Sequence, residues 1–310
     1  MTAYKEQKMR KCRLNIEDEQ IAVMVASLAK IREKCAAKTT IGQRMTIPQS
    51  GKLPIEVILH RPSRIVEHKL PVLFNMHGGA WLAGDAVMME NFCQLMSDQL
   101  PAMVVNVNYH KADIISIPKM IEEVVNCVSY FMEYEEDYGI DIERMVVGGH
   151  SAGANLAAGA AIKLKEEGIS LCAQMLVYPC TDLSSQTIGE NELTPLFHTI
   201  CTEGEEKDYH ISQLLSPDEK LKGLCPTLFV ECGLDILRPL GIAYAKRLLD
   251  NAVSIKVKEY PKALHGFLEV CQPDYGFADE RNTEEQRKYA RDCEMWLIRE
   301  LKACMKEEFR

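Results

Sequence analysis

No stretch of this 310-residue sequence stays apolar for the roughly 20 residues that a membrane span requires. It also lacks a long basic run, and its formal net charge is −9. Neither nucleic acid nor a membrane is therefore expected as a partner. The opening residues, Met1 to Lys11, are polar and basic, and no apolar h-region follows them. A secretory signal is not expected, and a cytoplasmic location is. The twelve Cys are scattered singly, without a C-x-x-C pair. In a reducing compartment most of them should be small core residues. No His or Cys pair has metal-ligand spacing, and no Gly-rich loop has nucleotide-binding form. Neither a metal nor a cofactor is expected. Internal repeats, low-complexity tracts and Gly/Ser linkers are missing as well, so nothing divides the chain.

What the chain does have is apolar content, 47% of residues, enough for a sizeable core. Residues 16–35 place Ile21, Met24, Val25, Leu28, Ile31 and Cys35 at helical spacing. Thr40 to Leu53 is turn-rich and shows no periodicity. Short apolar runs at 54–59, 71–76, 103–107, 145–148, 172–178, 226–231 and 254–260 read as strands. Helical patterns occupy 86–100, 117–132, 152 to about 167, 239–250 and 283–304. The last opens on a capping box of Thr283 and Gln286. Pro261 to Gly266 reads as a loop.

From residue 71 onward strands alternate with helices. The fold class is α/β, a mostly parallel sheet with helices on both faces. Right-handed crossovers place every strand-to-helix loop at one edge of such a sheet. Residues 1–310 read as one domain. Two partly helical segments stand outside the alternation, about 1–45 and about 181–223. Together they are expected to form a cap over the carboxyl edge.

The segment Met145 to Leu156 reads as strand, sharp turn and helix start. The turn Gly149-His150-Ser151-Ala152-Gly153 has the form G-x-S-x-G, which occurs by chance in roughly one chain in ten of this length. Its position between a strand and a helix makes it informative. Such a turn holds the Ser under strain and exposes its hydroxyl at a helix start, where free amides favour negative charge.

Acyl transfer by Ser needs a base, an acid that orients the base, and amide donors for the oxyanion. Asp235 follows the strand 226–231, and His265 follows the strand 254–260. The order Ser, Asp, His is that of α/β-hydrolases. His77-Gly78-Gly79 follows the strand 71–76, so its amides reach the same edge, with the Ala152 amide as a further donor. Taken singly, each group has a plainer reading. An Asp after a strand is more often a turn or N-cap residue. A loop His is as often merely satisfied, and His-Gly-Gly is as easily a tight turn. Their joint placement at one sheet edge favours the catalytic reading. Asp182 comes one loop too early, and His198 and His210 lie in the expected cap.

His77-Gly78-Gly79-Ala80-Trp81, Gly149 to Ala157, Asp235-Ile236-Leu237 and His265-Gly266-Phe267 together resemble the hormone-sensitive-lipase-like branch of the α/β-hydrolases. The resemblance runs from about residue 54 to the C-terminus. It implies a carboxylesterase of short acyl esters, with a cap built from the N-terminal segment and an insertion after the sixth strand. By position it implies Ser151 as nucleophile, His265 as base and Asp235 as its partner. Gly78, Gly79 and Ala152 supply the oxyanion amides. The sequence departs from the family at Tyr109-His110-Lys111-Ala112-Asp113-Ile114, where Tyr-Arg-Leu-Ala-Pro-Glu is common. It also departs at Ala80, where a third Gly is common, at His150, where Asp or Thr is usual, and at Arg238-Pro239.

Trp81, Tyr109 and His150 are expected at the substrate pocket. Leu183, Leu193, Leu196, Phe197 and Ile200 offer a small apolar closure from the cap. A small-molecule ester, acetyl to butyryl in acyl length, is the expected substrate. An amidase or deacetylase on the same machinery is the alternative. A non-catalytic receptor on this fold is a third reading, and such a protein should have lost a triad residue. A homodimer stays open.

Overall fold

A computed structural model describes residues 14, 19–36, 38, 40–184, 186–187, 189–190, 193–276 and 278–306. An eight-stranded sheet forms its centre. The strands are β1 (Gln43–Ile47), β2 (Ile55–His60), β3 (Leu70–Met76), β4 (Met103–Asn108), β5 (Ile140–His150), β6 (Ala173–Val177), β7 (Thr227–Leu234) and β8 (Ile255–Leu264). Their spatial order is β1-β2-β4-β3-β5-β6-β7-β8. β1 and β2 pair antiparallel, as do β2 and β4, and all later pairs are parallel.

The principal helices are α1 (Glu19–Ala36), α2 (Glu90–Gln99), α3 (Ile117–Glu133), α4 (Ala152–Glu166), α5 (Thr194–Ile200), α6 (Arg238–Asp250) and α7 (Glu284–Cys304). Both faces of the sheet are covered, and strand residues alternate between two core layers. Phe74, Val105, Val147, Leu176 and Phe229 pack with α3, α4 and α6. Leu73, Val104, Val146, Met175, Leu228 and Val230 pack with α2 and α7. The Thr283 hydroxyl caps α7 by accepting from the Gln286 amide at 3.3 Å, as the capping box implies.

The strand order places the site. From β3 the chain steps outward to β4, then crosses back to β5 on the other side of β3. The loops after β3 and β5 therefore adjoin at the carboxyl edge, at a topological switch point.

Three sequence expectations need correction. Residues 43–47, read as turn-rich, form the edge strand β1, so the expected cap boundary at residue 45 runs into the sheet. Its alternation is weak because only Ile47 is buried. The strand after α6 continues to Leu264, so the loop before His265 is shorter than expected. Helix α2 starts at Glu90, preceded by a 3₁₀ turn over Ala86–Met89 that Asp85 caps.

Much of the N-terminal cap segment, including Met1 to Arg13, lies outside the described residues, as do the side chains of Ile21, Met24, Leu28 and Ile31. Val25 and Cys35 of α1 are buried. α1 is tied to the loop after β4 by two hydrogen bonds, Arg32 Nη1 to Asp113 Oδ1 at 2.9 Å and Nη2 to Oδ2 at 2.7 Å. In the second segment, Phe197 of α5 meets the Trp81 ring edge to face, with centroids 6.1 Å apart.

Candidate active site

Gly149 and Gly153 pack the turn after β5 against the end of β3. A Cβ on Gly149 would stand 2.7 Å from the Met76 carbonyl oxygen, and one on Gly153 would stand 2.5 Å from that of His77. Real Cβ atoms do not approach backbone so closely, so both positions require Gly. Between them Ser151 takes φ 54° and ψ −118°, a left-handed conformation for a residue with a side chain. Such backbone costs about 1–3 kcal/mol and persists only where its surroundings enforce it. Here the Ser151 amide donates to the Val177 carbonyl at 2.9 Å, and the Asn155 amide closes the first turn of α4 on the Ser151 carbonyl at 3.1 Å.

The exposed hydroxyl meets its partner from β8. Ser151 Oγ lies 2.8 Å from His265 Nε2. His265 Nδ1 lies 2.6 Å from Asp235 Oδ2, and the other oxygen of Asp235 accepts from the Leu237 amide at 2.9 Å. The Asp235 side chain is only 1% exposed, whereas that of His265 is 32% exposed. A buried carboxylate thus orients a ring that solutes can reach. Asp182 has no such partner. Its Oδ1 accepts from Ser184 and its Oδ2 from Thr187, within its own turn.

The loop after β3 lies beside the Ser turn. Gly79 has φ 132°, and Ala80 and Trp81 follow at φ 51° and 59°. The Gly79 carbonyl accepts from Leu82 and Ala83, and the Trp81 carbonyl accepts from Ala112 at 2.8 Å. A side chain at Gly78 would strike the Glu269 carboxylate. No hydrogen bond among the described residues engages the amides of Gly78, Gly79 or Ala152. These donors stand at the mouth of the turn, Ala152 being the first residue of α4.

None of the three expected pocket residues lines an open cleft, because all are buried. Trp81 is 2% exposed and packs on Phe197 of the cap segment. Tyr109 and His150 are fully buried. The Tyr109 hydroxyl donates to the His77 carbonyl at 2.9 Å, and burial raises its pKa well above the ordinary phenol range. His150 points to the α2 side of the sheet, where its Nε2 donates to Asn75 Oδ1 at 3.2 Å and its ring meets Phe92. Burial lowers its pKa, which favours the neutral ring. Both are supports of the site, one below the oxyanion loop and one below the Ser turn.

Other supports carry no sequence signature. Tyr178, just after β6, stands edge-on to the His265 ring at 5.0 Å, and its hydroxyl bonds to Glu269. The Arg281 guanidinium donates to the His265 carbonyl at 2.7 Å. Asn155 donates to the carbonyls of Cys180, just before the expected cap segment, and of Ile211 within it, fastening α4 to that segment. Lys111 is 2% exposed, with Nζ 3.0 Å from His77 Nε2. Burial pushes its pKa down to about 7, and burial lowers that of His77 as well. Sequence reasoning met Lys111 only as a departure from a motif. Its burial is not legible from the loop sequence, since Asn108, His110 and Asp113 around it are polar.

Among the described residues no group of three or more His, Cys, Asp or Glu could hold a metal ion. No helix among them is long and apolar enough to cross a membrane.

The chain is similar to several known proteins. A family model described as alpha/beta hydrolase fold matches residues 73–269. Carboxylic ester hydrolase LipN of Mycobacterium tuberculosis is 30% identical over 227 residues, which span 67% of this chain and 60% of that protein. Arylacetamide deacetylase of Oryctolagus cuniculus is 24% identical over 303 residues, spanning 74% of this chain and 76% of that one. A crystal structure of a mutant of the esterase rPPE shares 25% identity at a TM-score of 0.78, covering 91% of this chain and 90% of that chain.

Proposed function

This chain belongs to the hormone-sensitive-lipase-like family of α/β-hydrolases, and from that premise we propose a serine carboxylesterase that cleaves short acyl esters through an acyl-enzyme on Ser151. Hydrolysis of carboxylic esters is the chemistry its relatives support in general terms. The finer reading rests on one observation, the line from Ser151 Oγ to His265 Nε2 at 2.8 Å and from His265 Nδ1 to Asp235 Oδ2 at 2.6 Å.

In this mechanism Ser151 Oγ attacks the ester carbonyl carbon while His265 Nε2 takes the hydroxyl proton. Negative charge grows on the carbonyl oxygen, where the amides of Gly78, Gly79 and Ala152 receive it. Asp235 holds the ring in the Nδ1–H tautomer and stabilises the imidazolium. The imidazolium then gives its proton to the leaving oxygen as the ester C–O bond breaks. Water attacks the acyl-enzyme next, His265 accepts its proton, and the acid leaves as the Ser151 hydroxyl is restored.

α1 and residues 181–223 serve as the cap in this reading. The Arg32–Asp113 pair and the Phe197–Trp81 contact support it, since each links a cap segment to a loop of the carboxyl edge. Phe197 and Ile200 are buried there, and Leu193 and Leu196 are partly buried against the same core. An apolar wall so close to Trp81 favours acyl groups from acetyl to butyryl.

Amide hydrolysis is the second reading, supported by the similarity to an arylacetamide deacetylase. One panel separates the two. Matched aryl acetates and acetanilides are compared by kcat/KM, and Ser151→Ala serves as control. Esters should exceed their amides by orders of magnitude. Equal or greater turnover of the amides would make the protein a deacetylase, and no turnover of either would leave a binding protein.

A further inference from the structure

The loop that carries Gly78 and Gly79 is strained, with consecutive positive φ values from Gly79 to Trp81. It must be held by its neighbours, and one of them is the buried side chain of Lys111. Lys111 Nζ reaches three acceptors, His77 Nε2 at 3.0 Å, the Tyr109 carbonyl at 2.5 Å and Asn108 Oδ1 at 3.3 Å. An ammonium has three donors and no acceptor. The ammonium also lies 4.1 Å from the centroid of the Tyr109 ring, a face that attracts cations. Asp85, Glu123 and Asp113 add attraction at longer range, against repulsion by Arg32.

The consequence passes through His77. Its Nε2 accepts from Lys111 Nζ, and its Nδ1 faces a carbonyl oxygen that can only accept, so the lone pair sits on Nε2 and the proton on Nδ1. His77 Nδ1 lies 2.7 Å from the Gly78 carbonyl oxygen and therefore donates to it. The ring is stacked on Tyr109, 4.5 Å away at 16°, and cannot tip without losing that contact. A trans peptide is planar, with its C=O and N–H pointing in opposite directions. Anchoring the Gly78 carbonyl on the His77 ring turns the Gly79 N–H away from that ring.

We propose that Lys111 is a positioning residue for the oxyanion loop, fixing the His77 tautomer and through it the plane of the Gly78–Gly79 peptide. This rests on the serine-hydrolase reading of the site. A merely structural Lys would hold the loop after β4 and leave the donor plane indifferent to its removal.

The test uses the full chain with Lys111→Met, similar in length and without a donor. Three readouts are taken, namely kcat and KM on p-nitrophenyl acetate, the inhibition constant of a trifluoromethyl ketone, and the ¹⁵N signals of the His77 ring. A His77→Asn variant assigns those signals. In the wild type His77 should be the Nδ1–H tautomer. In Lys111→Met, kcat should fall about 10- to 100-fold, less than the loss of a whole oxyanion donor. KM should change by no more than about twofold, because the interaction matters in the transition state. The trifluoromethyl ketone, a tetrahedral mimic, should weaken in step with kcat, and the tautomer signal should lose its uniqueness.

The proposal is overturned if Lys111→Met keeps the wild-type kcat and inhibition constant. It is overturned equally if the wild-type ring is the Nε2–H tautomer, a result that needs no folded variant. Failure of the underlying reading looks different. Ser151 would then take no organophosphonate label and Ser151→Ala would stay active, whatever the state of His77.

Discussion

Asp235 and Asp182 both follow strands of the sheet, and their hydrogen bonds tell them apart. Asp235 bonds to His265, whereas Asp182 spends both oxygens on Ser184 and Thr187. Asp235→Asn should therefore keep the fold and lower kcat about a thousandfold or more, since the wrong imidazole tautomer is favoured. Asp182→Asn should leave kcat within about tenfold and act mainly on stability, by loosening a buried turn. A greater kcat loss in Asp182→Asn would reverse the assignment. Glu231 is a second case decided by burial. It is 1% exposed, its Oε1 has no hydrogen-bond partner, and burial pushes its pKa up to about 9. A carboxyl whose folded pKa is raised gives its full stabilisation below its unfolded pKa. That stabilisation is lost as pH rises toward the folded value. Glu231→Gln should melt close to wild type at pH 5 and progressively higher than wild type as pH approaches 9. Parallel melting curves at all pH values would contradict the burial argument. The meeting of Ser151, Asp235 and His265 at one sheet edge is legible in the sequence, because each follows a strand in chain order. Lys111, Tyr178 and Glu269 are not legible, because their roles come from burial and contacts between distant loops.

At the scale of elements, the continuous apolar runs are legible in the sequence and the edge strand is not. β3 and the parts of β5 and β7 inside the sheet, from Met145 and up to Cys232, are covered on both faces, so they read as short apolar runs. β1 is an edge with one buried residue, and its sequence Gln43-Arg44-Met45-Thr46-Ile47 carries almost no pattern. His150 was misread for a related reason. Alternation along β5 sends its side chain to the face opposite the Ser, and a motif does not reveal which face is which. Helix α1 was legible as a helix, yet its anchor was not, since Arg32 and Asp113 are 81 residues apart. Both side chains are nearly buried, at 9% and 12% exposure. Arg32→Met should leave a buried carboxylate unpaired, at a cost of about 3–5 kcal/mol. Adding Asp113→Leu to it should recover most of that loss. Urea denaturation of the two variants would show it, and equal destabilisation in both would mean that the pair is not the anchor.

At the scale of the molecule, the sheet brings Ser151, His265 and the Gly78–Gly79 loop to one edge, and in the proposed reading the cap segments limit what reaches them. Each added methylene should strengthen binding by about 0.8 kcal/mol until the pocket is full. After that, extra carbons would have to displace the packed Trp81–Phe197 pair, and the gain should reverse. The kcat/KM series on p-nitrophenyl esters should peak between acetyl and butyryl and fall steeply by octanoyl. A flat profile would mean an open site, and a rise toward long chains would make the protein a lipase. The proposed ester hydrolysis depends on covalent chemistry at one hydroxyl. The most direct measurement is the intact mass and peptide map after reaction with an organophosphonate. A single adduct should appear on the peptide containing Ser151, with loss of esterase activity, and none in Ser151→Ala. Labelling at another residue, or full esterase activity in Ser151→Ala, would contradict it.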